Sequence, residues 1–175
     1  MQTYSAAAKV QDNLKELFQG KLAPGDAYVK FQLTSDVTAL LSMKQAQESL
    51  IVEAEHITPL PNMSEFVIGI VNSRERVFCI FDLALLLKLS TELTSPRQHQ
   101  VIVFQTISEP SIYVGFAVTQ LQGIIRISQE QIEPCSDAID TKLKSFVSGT
   151  IQQEESTVPI LNLEHILQSA IEQST

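Results

Sequence analysis

The sequence holds little of what chemistry requires. Its two cysteines, Cys79 and Cys135, lie far apart with no metal-ligand spacing, so neither a disulfide framework nor a zinc site is expected. Cys79 sits inside an apolar run and reads as a small buried hydrophobe. The three histidines, His56, His99 and His165, are isolated from one another and read as packing residues rather than ligands. There is no glycine-rich phosphate loop, no HExxH, no CxxC and no nucleophile elbow. No apolar run approaches the roughly 20 residues needed to cross a bilayer. Lys and Arg number 12 against 20 Asp and Glu, a formal net charge of −8. A surface that binds nucleic acid needs concentrated basic residues, so nucleic acid is not an expected partner. No cofactor, no metal and no membrane insertion are expected. Without a signal sequence or a cysteine framework, the cytoplasm is the expected location.

Candidate catalytic groups are as sparse. Glu53 and Glu55 alternate along one strand face and could in principle be a catalytic carboxylate pair, but exposed like charges on a strand are much more often a solvated face. Ser42 and Ser73 lie in polar connections with no His or Asp at a nucleophile's spacing. An enzyme is not expected.

What the chain does have is one stretch that occurs twice. Gly69 to Leu87, GIVNSRERVFCIFDLALLL, aligns without a gap on Gly149 to Leu167, GTIQQEESTVPILNLEHIL. Five of the 19 positions are identical, and most others keep their physical character. Each copy reads as a strand leaving a glycine, a polar turn, a returning apolar strand, and an Asp82 or Asn162 that caps a short leucine-rich helix.

Around the repeat, alternation of period two marks further strands. They fall over Tyr28–Leu33, Val37–Ser42, Leu50–Glu55, Phe66–Val71, Arg76–Phe81, Val101–Ile107, Ile112–Thr119, Ile124–Ile127, Phe146–Gln152 and Thr157–Leu161. Met43 to Glu48 reads as a connection with a helical turn. Pro59 and Pro61 mark a surface loop, and Ser136 to Lys144 a polar, mobile or loosely helical one. Many short strands with turn signals between them point to a closed or sandwiched antiparallel β fold. Residues 1–26 stand apart as a helix and linker. Val10, Leu14, Leu17 and Phe18 form an amphipathic stripe within Ala6 to Gln19, which either packs on the domain or docks on a partner; packing is favoured, since it keeps the stripe out of water. Residues 27–170 form one domain of two intimately packed β subdomains, each with one copy of the repeat. The polar run from Ser90 to His99 places their junction near 90–100.

Arg74 rises above this background. It lies in the tight turn NSRER between two apolar strands. There it is either an ordinary solvated charge or a bidentate anchor for a partner's carboxylate or carbonyl, a task that suits the rigid guanidinium fork better than lysine.

The stretch ITPLPNMSEFVIGIVNSRERVFCIFDLALLL resembles the signature region of CheW-like coupling proteins of bacterial chemosensory systems. The family's glycine matches Gly69, its Asn-x-Arg turn matches Asn72-Ser73-Arg74, and its helix-starting Asp matches Asp82. The later segments VGFAVTQLQGIIRIS, IEP and VPILNLEHIL resemble the rest of the same domain. Two departures stand out: Glu75 replaces the glycine that commonly follows the motif arginine, and Cys79 replaces a proline that the second copy keeps as Pro159.

The resemblance implies a mainly β fold of two SH3-like five-stranded β-barrel subdomains with short helices and an N-terminal amphipathic helix. It implies a non-catalytic adaptor whose partners are a CheA-type histidine kinase and the cytoplasmic tip of methyl-accepting chemoreceptors, the receptor held in a groove between subdomains. The adaptor would be cytoplasmic, recruited to membrane-associated receptor arrays, and the extra head suggests a variant of pilus-linked systems. Partner binding falls to Arg74, Asn72, Gly69 and Glu75, with Asn72 holding the turn and Gly69 allowing close backbone approach. The rival readings are a regulatory β module with a small molecule in the intersubdomain groove, and a hydrolase built on Glu53 and Glu55.

Overall fold

The computed structural model describes residues 25–93, 96–107 and 109–173. The expected helix over Ala6 to Gln19 lies outside the described residues. Among the described residues, ten strands and two α-helices follow in chain order: β1 (Asp26–Thr34), β2 (Val37–Ser42), β3 (Ala46–Glu53), β4 (Val67–Ser73), β5 (Arg76–Asp82), α1 (Leu83–Leu86), β6 (Gln98–Gln105), β7 (Tyr113–Val118), β8 (Gln120–Ile127), β9 (Val147–Gln153), β10 (Ser156–Leu161) and α2 (Leu163–Gln173). Strands make two five-stranded sheets. Sheet 1 has the order β8-β1-β2-β10-β9 and sheet 2 the order β3-β6-β7-β5-β4.

The two repeat copies fold alike down to their irregularities. Gly69 pairs with Ile80 and Val67 with Phe81, across a register shift. Gly149 pairs with Ile160 and Val147 with Leu161, across a shift at the same place. Each returning strand then lies parallel to the second strand of a hairpin, β5 on β7 and β10 on β2. The backbone N–H of Asp82 donates to the Phe66 carbonyl at 2.7 Å, and that of Asn162 to the Phe146 carbonyl at 2.7 Å. Both side chains cap the following helix, accepting from the N–H of Leu85 and of His165 at 3.2 Å. A cap of this kind satisfies one of the donors that a helix start leaves open.

The likeness extends further than the ungapped alignment. A 3₁₀ turn follows β3 at Ala54–His56 and another follows β8 at Gln129–Gln131. The next residues form isolated bridges, Thr58 to Ile70 and Glu133 to Thr150. Each bridge ties the segment after a sheet's outermost strand to the strand at the opposite end of the same sheet.

The chain does not change sheets at 90–100. Residues between α1 and β6 link two parts of sheet 2, because β6 pairs with β3 and β7. The crossings lie between β2 and β3 and at Thr119, whose N–H and hydroxyl donate to the Gln32 and Leu33 carbonyls at 3.0 and 2.8 Å. Polarity had marked an exposed loop, and exposure says nothing about which sheet the next strand joins. Sheet 2 is therefore continuous in sequence and sits inside sheet 1. Two local expectations also change. The segment Met43 to Glu48 is not a helical turn, since β3 begins at Ala46. The polar run Ser136 to Lys144 is anchored, because Ile139 and Leu143 are buried in the core.

Three apolar clusters organise the packing. Val52, Ile57, Val71, Phe78, Ile80, Val101, Val103 and Ala117 fill the inside of sheet 2. Tyr28, Leu40, Ile127, Ile151, Val158 and Ile160 fill that of sheet 1. The largest lies between the sheets and joins Phe31 and Leu41 of sheet 1 to Phe104 and Phe116 of sheet 2, with α1 and α2 contributing Leu83, Leu86, Leu163 and Ile166. Strand alternation explains the division. In β5, Phe78 and Ile80 face the interior of their own sheet while Phe81 turns to the shared core.

Candidate partner-binding site

The hairpin between β4 and β5 turns in two residues, with Ser73 opposite Arg76. Arg74 has φ 52° and Glu75 φ 65°. Both central residues are thus left-handed, the geometry that lets a two-residue turn follow strand twist and that normally selects Asn-Gly. Glu75 occupies the position and conformation of the glycine that the family pattern would place there.

The tip is held by a carboxylate from another strand. Arg74 Nη1 donates to Glu48 Oε2 at 2.7 Å, and Arg76 Nη1 lies 3.8 Å from Glu48 Oε1. The Glu48 side chain is 14% exposed, while that of Arg74 is 74% exposed. Arg76 in turn stacks its guanidinium 4.5 Å from the centroid of the Tyr113 ring, a cation–π contact. Glu48 thereby orients the arginine, and most of the guanidinium's donors still face solvent. Arg74 is a pre-positioned cation rather than a freely rotating one.

The other expected residues divide. Glu75 is exposed beside Arg74. Asn72 is exposed, sits opposite Val77, and makes no side-chain hydrogen bond among the described residues, so it does not hold the turn. Gly69 is buried, and its close approach is to its own chain. A Cβ there would lie 2.4 Å from the Thr58 carbonyl oxygen and 2.7 Å from Ile57 Cγ2. Gly69 is therefore a closing residue of sheet 2. Sequence reasoning missed Glu48, Arg76 and Tyr113. Glu48 lay in a stretch taken for a connection, and contacts across 26 residues leave no local spacing to read.

A second feature lies between sheet 2 and α2. An open, largely apolar groove of about 740 Å³ runs along α2, with Phe81, Ile112 and Val114 on one wall and Leu167 and Ile171 on the other. Ile112 and Ile171 are 53% and 69% exposed. The α2 stripe explains this: Leu163, Ile166 and Ala170 are buried, while Leu167 and Ile171 widen the apolar face into the groove.

The rival sites do not assemble. Glu53 accepts from Gln98 Nε2 at 2.6 Å, whereas Glu55 faces solvent 3.9 Å from His56; they share no cleft. No cluster able to hold a metal ion occurs among the described residues, and none of their helices is long and apolar enough to cross a membrane. His99 is buried beside the Asp82 cap. Burial lowers its pKa, and the negative charge of Asp82 opposes that shift. Asp82 also accepts a hydrogen bond from the Thr91 hydroxyl. Cys79 is half-buried, and burial raises its thiol pKa.

The family model for the CheW-like domain matches residues 28–171. The chain belongs to the CheW-like domain family. A chemotaxis protein CheW from Thermotoga maritima is 27% identical over 119 residues, covering 68% of this chain and 74% of that protein. Another from Rhizobium meliloti is 28% identical over 112 residues, covering 64% and 70%. Among solved structures, the scaffolding protein TtCheW from Thermoanaerobacter tengcongensis superposes with a TM-score of 0.68 over 82% of this chain and 92% of that one, at 21% identity. Family membership makes this a non-catalytic CheW-like domain.

Proposed function

We propose that the protein is an adaptor that couples chemoreceptors to a CheA-type histidine kinase in a chemosensory or pilus-motility pathway. The match of the CheW-like model to residues 28–171 carries this reading. In its finer form, each sheet with its isolated bridge is an SH3-like barrel. The groove between them receives the helical tip of a methyl-accepting receptor, and the Arg74 tip anchors the kinase. The groove suits a helix: it is open along its length, apolar on both walls, and takes i, i+3, i+4 side chains as other helix-binding grooves do. A small-molecule module would need a closed pocket with convergent polar groups, and this groove is open. The adaptor acts in the cytoplasm at membrane-associated arrays, transmitting receptor geometry to the kinase without turnover of its own.

The test is a calorimetric titration of the full chain against a receptor tip fragment and, separately, against the kinase regulatory domain. Arg74→Ala is expected to weaken kinase binding by more than about 1 kcal/mol, as loss of a desolvated anchor does. Ile112→Glu is expected to weaken receptor binding and leave the kinase titration unchanged. Unaltered affinities in both variants would remove both surfaces from the reading.

A further inference from the structure

The two sheets share one plan, but beside their repeat hairpins they end differently. The repeat places Arg76 on Ser156 and Phe78 on Val158. Ile80 lies against Gly115 of β7, as Ile160 lies against Leu40 of β2. Tyr113, two residues before Gly115, therefore corresponds to Thr38. One strand further, Val103 pairs with Gly115 and Lys30 with Leu40. Lys30 thus stands where sheet 2 has the fully buried Val103. In sheet 2 the Arg76 guanidinium lies over the Tyr113 ring and fills this end. Sheet 1 has two short hydroxyl side chains there, and a lysine where its counterpart is apolar.

The result is a cavity of about 290 Å³ lined by Lys30, Thr38, Gln153, Glu154, Ser156 and Val158. Strand alternation aims four of these inward. Lys30 lies two residues from Tyr28, Thr38 from Leu40, Gln153 from Ile151 and Ser156 from Val158, and those four apolar residues all belong to the inner cluster of sheet 1. The half-buried Lys30 donates from Nζ to Gln153 Oε1 at 2.7 Å and forms no ion pair among the described residues. An ammonium carries three N–H donors, so most of its capacity is unengaged. The Thr38 and Ser156 hydroxyls and Gln153 Nε2 likewise form no hydrogen bond among the described residues. Neutral donors gathered around a partly desolvated cation suit an anion. Glu154 limits its charge. This residue sits exposed at the turn with φ 54°, the counterpart of Arg74 with φ 52°, and its carboxylate opposes any charge beyond the one that Lys30 neutralises.

We propose that this cavity binds a single carboxylate, carried by a small free acid or by an acidic side chain of another protein. Lys30 supplies the counter-charge, and Thr38, Ser156 and Gln153 supply neutral donors. The site belongs to sheet 1, apart from the groove, whose walls come from sheet 2 and α2. It therefore stands or falls independently of the receptor and kinase assignments.

The test is an amide NMR titration of the full chain with sodium acetate, against sodium chloride at equal ionic strength. Saturable shifts of the Gln153, Glu154 and Ser156 amides are expected with acetate and not with chloride, while the Ile80 and Val101 amides of sheet 2 stay in place. Lys30→Met, at a position whose counterpart is the apolar Val103, should keep the fold and weaken acetate binding by about tenfold or more. Thr38→Tyr/Ser156→Arg, which fills the cavity as sheet 2 is filled, should abolish it. Absent saturation, equal shifts with chloride, or unchanged binding in Lys30→Met would overturn the proposal. Tighter binding of inorganic phosphate than of acetate would overturn the choice of a carboxylate. A third titration, with the blocked tripeptide N-acetyl-Gly-Glu-Gly-amide, separates the two sources. Tighter binding of the tripeptide than of acetate assigns the carboxylate to a protein side chain, and the reverse order assigns it to a free acid.

Discussion

Gly69 and Gly149 occupy the same place in the two repeats, and the structure predicts that they tolerate alanine differently. At Gly69 the backbone has φ +154°, and an added Cβ would meet the Thr58 carbonyl oxygen at 2.4 Å. That carbonyl accepts from the Ile70 N–H, and the Thr58 N–H donates back to the Ile70 carbonyl, both at 2.8 Å. Alanine must adopt a strained φ, costing about 1–3 kcal/mol. It must also push the bridge apart, at about 1 kcal/mol for each hydrogen bond. Gly69→Ala should therefore destabilise the fold by about 3–5 kcal/mol. At Gly149 no left-handed φ is required, and the Cβ would meet Ile132 Cγ2 at 2.7 Å and the Glu133 carbonyl oxygen at 3.1 Å. A side-chain methyl can move aside, and alanine restricts the unfolded chain in compensation by about 0.4–1 kcal/mol. Gly149→Ala should cost about 0.5–2 kcal/mol. Urea unfolding of the two variants measures the contrast directly. Equal losses, or a loss below about 1 kcal/mol at Gly69, would refute the claim that the Thr58 approach closes sheet 2.

Two further predictions concern the turn and the buried histidine. Glu75→Gly removes an L-residue from φ 65°, a gain of about 1–2 kcal/mol offset in part by greater freedom of the unfolded chain. The melting temperature should rise by about 2 °C, and a fall would show that the Glu75 side chain contributes to the turn. For His99 the folded pKa lies below its ordinary value of 6.5, so the unfolded chain binds the proton more readily. Stability from this group is complete above pH 6.5 and is lost as pH falls through that value toward the folded pKa. Urea midpoints at about pH 7.5 and 5.5 should diverge in the natural sequence and converge in His99→Gln; an unchanged slope would assign the effect to other groups.

Much of this fold was legible because its signals are local. The two repeat copies, the Asp82 and Asn162 caps and the period-two strands all rest on neighbours a few residues apart. What failed was non-local. Ser90 to His99 looked like a boundary, yet only the pairing of β6 with β3 decides that sheet 2 continues through it. The repeat itself was read too short, since Pro59 stands ten residues before Gly69 whereas Pro134 stands 15 before Gly149. The extra residues, which carry the buried Ile139, break the ungapped match. At the candidate site, Arg74 was found from its turn, whereas Glu48, which orients it, comes from a distant strand. Asn72 and Gly69 were assigned by motif. The coordinates give Gly69 a structural role and Asn72 no part in holding the turn.

The nesting of sheet 2 inside sheet 1 sets a schedule for biosynthesis. On the ribosome, β3 through β7 are made in one uninterrupted stretch, whereas the β1–β2 hairpin must wait for β8 and for β10, which lies parallel to it at Leu40 and Ile160. Closing so long a loop is entropically slow and comes late. The α2 helix, which supplies one wall of the groove, follows all ten of these strands in the chain. A nascent chain therefore lacks a complete groove until α2 emerges, and a ribosome-stalled chain ending before Leu163 should present no such apolar cleft. The order in which the strands are threaded thus makes the groove one of the last surfaces to form.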